Sequence, residues 1–248
     1  MNLLAVERIK LFTTRSPWWC ALIAVVVTAG FGAMLAGASS DQQSLSVGNT
    51  QFSYQFGLAV IMVLAALSVT TEYRFGTIRT TFQAVPNRAS VLLAKATVVG
   101  AVALVIGEIG AFGSWGLSYL IRPQDDLALD SAADWINVAG VGVLAALAAV
   151  IAVSVGVLLR HSAGALALLL IYVLAVENLV QLIPTFGDKI HRWLPFNVAD
   201  KFLSGGSGVP GGRMSEAALS QGWSLVYFAG FAVLMLAIAI GVAKKRDA

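Results

Sequence analysis

Two acids sit inside long apolar stretches of this chain: Glu108 and Glu177. A charged carboxylate at the centre of a membrane helix costs about 2.5–3.5 kcal/mol on insertion scales, so each needs water, a partner or a proton. Asn178 and Gln181 extend the polar set beside Glu177. These four residues are candidates for a translocation path or a dimer interface, and a hydrogen-bonded structural acid is the competing reading. Other chemistry is poorly supplied. The two histidines, His161 and His191, fall on opposite sides of the topology argued below, so they do not share a metal, and each reads as a solvated loop residue. No acid and histidine are placed to activate a serine. Neither a GxxxxGK[ST] phosphate loop nor an HExxH zinc motif occurs, and the GxGxxG match at Gly206–Gly211 contains Pro210 and follows no strand. The single cysteine, Cys20, rules out an internal disulfide and a thiolate cluster.

The elements that must position these residues are membrane helices. The chain is 58% hydrophobic and 12% charged, and its apolar residues gather into six runs at about 17–37, 52–70, 90–121, 136–159, 164–184 and 222–243. Backbone groups in hydrocarbon must be satisfied within the segment, and roughly 20 apolar residues of helix cross the core. The fold class expected is therefore all-α: one polytopic domain over 1–248 with six transmembrane helices. The N-terminal run looks like a signal peptide at first, with Ala36-Gly37-Ala38 after it, but it is long enough to span. No loop is long enough for a soluble domain of its own.

Charge gives the orientation. Lys and Arg favour the cytoplasmic side. With the N-terminus inside, the inner segments hold Arg8, Lys10, Arg15, Arg74, Arg79, Arg88, Arg160, Lys244, Lys245 and Arg246, and the outer ones Arg122, Lys189, Arg192, Lys201 and Arg213. The bias places both termini in the cytoplasm, and it accounts for the net charge of +3 without nucleic acid. Asp125, Asp126, Asp130 and Asp134 then lie outside.

Residues 1–16 read as a short interfacial helix, weakly amphipathic because Glu7 falls between Leu4 and Leu11. Ser16 and Pro17 suit the start of the first span, and Trp18 and Trp19 suit the interface. Gly107, Gly110, Gly113 and Gly116 recur every three residues and allow close helix approach, although a repeat of three drifts around the helix. The segment 185–221 is extracellular and is expected to be partly re-entrant.

The inner loop 71–89 carries the strongest pattern. Placed on one helix, it puts Phe75, Ile78, Phe82 and Val85 on an apolar face and Glu72, Arg79, Thr80 and Gln83 on a polar one, with Pro86 as the stop and Lys95 in the next span. An amphipathic helix here lies on the membrane and shows its polar face to the cytosol.

Glu72, Gly76-Thr77-Ile78, Pro86, Arg88 and Lys95 resemble the corresponding loop of permease subunits in type-2 ABC exporters. The resemblance implies a coupling helix that docks on a separate ATPase, with Glu72, Arg74, Phe75, Gly76, Thr77, Ile78 and Arg79 as docking residues. It also implies a second permease copy (homodimer or related heterodimer) and two ATPase copies in a bacterial-type plasma membrane. No cofactor is expected on this chain, with ATP and magnesium on the partner, and no enzymatic activity of its own. A membrane anchor or signalling subunit is the alternative, and an intramembrane enzyme a more distant one. The substrate is not legible.

Overall fold

The computed structural model describes residues 2–39, 44–183, 186–205 and 218–245, with the side chain of Asn178 left out. The Gly206–Gly211 motif, Pro184, Arg213 and Arg246 therefore lie outside the described residues. Helices make up 83% of the structure, with no strand among the described residues, so the all-α expectation holds.

Five helices are long and apolar enough to cross a membrane: α2 (Ser16–Ala38), α4 (Tyr54–Arg74), α6 (Arg88–Ile121), α7 (Ala132–Leu159) and α12 (Gln221–Lys245). Shorter elements are α1 (Leu3–Thr13), α3 (Val47–Thr50), α5 (Thr77–Ala84), α8 (Ser162–Ile171), α9 (Glu177–Val180), α10 (Gly187–His191) and α11 (Pro195–Ser204). The run expected to be the fifth span, 164–184, is not one regular α-helix. It is α8, a π-helical turn over Tyr172–Val176, and then α9.

Local chemistry explains most boundaries. Pro17 sits in the first turn of α2, where its missing N–H costs nothing, but Arg15 rather than Ser16 occupies the cap position. Ser131 and Asp134 form a reciprocal capping box at the start of α7. At the other end of α7, Arg160 closes the helix in the left-handed region, and the His161 side chain accepts from the Gly164 N–H to begin α8. His161 is exposed, as expected.

The interior is built around α7, which packs against α6, α4 and α12 and buries residues along its whole length, including Leu144, Ala145, Ala148, Ala149 and Ala152. On its far side α6 is joined by α2, which also lies against α4. Without a hydrophobic drive between helices in lipid, such packing rests on small residues. A Cβ added at Gly107 would stand 2.9 Å from both the Ala145 Cβ and the Gly142 Cα, so α6 and α7 meet almost backbone to backbone. Gly110 and Gly113 face Thr28 and Ala29 of α2 instead, and Gly116 faces open space. The three-residue drift thus serves two neighbours in succession. Gly107→Val is expected to lower stability by about 1–3 kcal/mol, as for an overpacked core. Gly116→Val should change it far less, and thermal unfolding of the two variants in detergent checks the contrast.

At the outer end, the Arg122 guanidinium donates to the Ser39 carbonyl (2.8 Å) and to Asp125 (3.2 Å). Asp125 in turn accepts the Leu45 N–H at 3.2 Å, tying the loop after α2 to the end of α6.

Candidate functional site

The inner loop is folded differently from a single helix over 72–85. α4 continues to Arg74, Phe75 caps it, and Gly76 takes a φ of 72°, a left-handed conformation that glycine adopts without a steric penalty. The chain turns there and restarts as α5. Ile78 and Phe82 are buried with Val91 against Tyr73 and Val85, while Arg79, Thr80 and Gln83 face outward as the spacing predicts. Phe75 leaves the apolar face to which its spacing assigned it and is 72% exposed, with the Arg74 guanidinium 5.5 Å from its ring centroid. Thr77, at the first turn of α5, is exposed as well. Arg88 locks this unit from below. Its guanidinium lies 5.2 Å from the Phe82 ring centroid and donates to the Ala243 carbonyl at the end of α12 (2.7 Å).

Glu72 is not on the polar outer face. It turns inward and joins a four-charge cluster with Glu7, Lys10 and Lys95. The Lys95 ammonium lies 2.5 Å from Glu7 Oε2 and 3.0 Å from Glu72 Oε1, and Lys10 lies 2.8 Å from Glu7 Oε1 and 3.4 Å from Glu72 Oε1. Lys10 also donates to the Thr81 hydroxyl of α5 at 3.0 Å. The cluster therefore joins α1, the end of α4, α5 and α6. Burial alone would push the Glu7 carboxyl up, but the Lys95 charge and the hydrogen bonds from Lys10 and Lys95 hold it below its ordinary 4.5. For Lys10, burial opposes the charged form. The hydrogen bond to Glu7 and the nearby Glu72 and Glu7 charges outweigh that and raise it above 10.5. Sequence reasoning treated Glu7 as an interruption of an amphipathic pattern. It is instead one of the two buried residues of α1, with Leu11. The i, i+3 pairing with Lys10 was the available signal.

The acids within the spans lead to different places. Glu108 lies on α6 against α7, where a Cβ on Gly142 would fall 2.4 Å from its Oε1. Glu177 is buried, and its two oxygens accept the backbone N–H groups of Phe196 (3.0 Å) and Asn197 (2.8 Å), the first turn of α11. The Tyr172 hydroxyl adds a further hydrogen bond to Glu177. An anion at a helix N-terminus satisfies donors that have no partner inside the helix and complements its dipole. α11 is held at its other turns too: Asp200 accepts from the Tyr54 hydroxyl and from the Gln55 amide (2.8 Å), which fixes it over the outer end of α4.

Gln181 reaches the ring of His191, with its amide nitrogen 2.9 Å from Nε2. His191 is not the solvated loop residue expected. It is buried, and its carbonyl accepts from the Asn197 side chain at 2.8 Å. Glu177 and Gln181 thus serve one outer assembly around α10 and α11. No signal within 164–184 names its partners, which arrive from backbone groups at 191–197. No group of three or more His, Cys, Asp or Glu side chains that could hold a metal is present among the described residues.

No curated protein matches the chain. The family model described as ABC-2 family transporter protein matches residues 3–176, a stretch that includes α1, the four-charge cluster, the α5 turn and the first four long helices. The arrangement built above is thus that of a multi-pass membrane protein, and the chain belongs to the ABC-2 transporter family of permeases.

Proposed function

We propose that this chain is the transmembrane subunit of an ATP-driven exporter, forming its pathway with a second permease copy and driven by two cytosolic ATPase subunits. Family members generally work with an ABC ATPase and often dimerise. The observation that carries the reading is the α5 unit. It is anchored inward by Ile78 and Phe82 and presents Arg74, Phe75, Thr77 and Arg79 outward on an edge held by charge and by Arg88. An exposed aromatic beside arginines is the composition of a protein-binding hot spot. In this reading Gly76 sets the turn, Ile78 seats the helix, and Glu72 keeps the turn in register with α1 and α6 rather than touching the ATPase.

In the same reading there are six crossings. The helical run 162–180 spans roughly 28 Å at 1.5 Å per residue, close to the hydrocarbon thickness, and serves as the fifth. Both termini then face the cytoplasm of a bacterial-type plasma membrane, α1 lies along its inner surface, and residues 187–204 form the outer re-entrant segment. ATP and magnesium belong to the partner, and this chain hydrolyses nothing itself. ATP-driven closure of the ATPases would push on α5, and the ion cluster would pass that motion to α1, α4 and α6 together.

The test is copurification from the native host in mild detergent. A stoichiometric ATP-binding subunit is expected with the wild type and should fall at least about tenfold for Phe75→Asp with Arg79→Glu, since hot-spot losses commonly exceed 1.4 kcal/mol. The melting temperature of the chain should stay unchanged, because both side chains are exposed. Arrival alone, or with partners lacking an ATPase, would support the membrane-anchor reading instead.

A further inference from the structure

A cleft of about 540 Å³ runs between α1 and the inner ends of α4 and α6. Its walls change character along its depth. Leu64, Leu67, Val98 and Val99 line the part further along the spans, and Lys10, Thr13, Thr14 and Thr77 line the part near the helix ends. Pro17 forms another edge, and the adjoining Trp18 and Trp19 are exposed, which marks this level as the membrane–water boundary. The cleft is therefore apolar toward the hydrocarbon and polar toward the interface. Of the four clustered charges, Lys95 and Glu7 are nearly sealed, whereas the Lys10 side chain is 31% exposed at the rim. Basic pockets between spans on the cytoplasmic side suit lipid headgroups.

We propose that this cleft is a binding site for one inner-leaflet phospholipid with an anionic headgroup, its acyl chain along Leu67 and Val98 and its phosphate at Lys10. The hydroxyls of Thr13, Thr14 and Thr77 complete a polar rim for the headgroup. A zwitterionic lipid fits less well, because its own cation competes with Lys10 for the phosphate. The site rests on the inward orientation given above but not on transport or on the ATPase.

Native mass spectrometry of the purified full chain, exchanged into phosphatidylglycerol or phosphatidylcholine, tests it. Wild type is expected to retain one phosphatidylglycerol, about fivefold more than phosphatidylcholine, the ratio one basic residue contributes near a membrane surface. Lys10→Met should bring the two lipids to parity. Leu67→Trp, which fills the apolar half and leaves the ion cluster intact, should lose both; Val98→Trp is the substitute if Leu67→Trp fails to fold. Retention of lipid by a folded tryptophan variant would place the lipid on the outer span surface and overturn the proposal. Displacement by inorganic phosphate would make this a free-phosphate site and also overturn it, as would the absence of any retained lipid. Equal retention of the two lipids by wild type would overturn the anionic assignment. Because no ATPase enters the readout, failure here is distinguishable from failure of the exporter reading.

Discussion

Lys95→Met is expected to lower stability by about 3–5 kcal/mol, the cost of removing one partner from a buried ion pair. Lys95 and Glu7 are both 4% exposed, so the carboxylates of Glu7 and Glu72 would be left sharing Lys10 alone in a site that water barely reaches. The loss should be cooperative. Adding Glu7→Gln to Lys95→Met removes one negative charge along with the positive one, leaves the Glu72–Lys10 pair, and should recover most of the melting temperature. A double variant as unstable as the sum of two singles would show that the four charges do not act as a unit.

The pH dependence has a definite sign. The Glu7 contribution is complete above its ordinary 4.5 and is lost as pH falls through its lowered folded value. The Lys10 contribution is complete below its ordinary 10.5 and is lost as pH rises through its raised folded value. Melting temperature plotted against pH should therefore be insensitive to the cluster between about 4.5 and 10.5.

Glu177→Gln is the second substitution with a large expected effect. A glutamine oxygen can accept one N–H of the α11 first turn, but its amide nitrogen would face the other as donor against donor. One buried N–H loses its acceptor, at about 1–3 kcal/mol. Glu177→Ala orphans both and should cost more. The loss should be local before it is global, with faster amide exchange at 187–204 while α6 and α7 keep their protection. This result would make Glu177 a positioning residue of the outer segment. A Glu177→Gln protein with native exchange throughout and defective transport would return it to the translocation path.

The parts of the molecule that were legible in the sequence are those encoded by neighbours. The long apolar helices, the inward face of Ile78 and Phe82 and the glycine contacts of α6 all follow from spacing within one segment. The bend at Gly76 was less visible, because the periodicity of 75–85 suits a helix and only the left-handed φ divides it. The charged and outer sites were hidden for a different reason. Glu7 meets Lys95 across 88 residues, and Glu177 meets backbone donors 19 and 20 residues on, where no side-chain type advertises the partner. His191 looked solvated because a loop histidine usually is. Its burial comes from Gln181 and Asn197 closing over it, a tertiary event.

The π-helical turn at Tyr172–Val176 sits immediately before Glu177. A turn of this kind takes up an additional residue, so all that follows is rotated by about 100° relative to an uninterrupted α-helix. α8 lies against α4 and α7, whereas Glu177, just beyond the turn, holds the start of α11. The turn thus acts as a phase shifter within one rod, letting two faces that an ideal helix would keep aligned be aimed independently. A one-residue gap at this place in an alignment of relatives is then best read as a change of aim, with the length of the crossing nearly conserved.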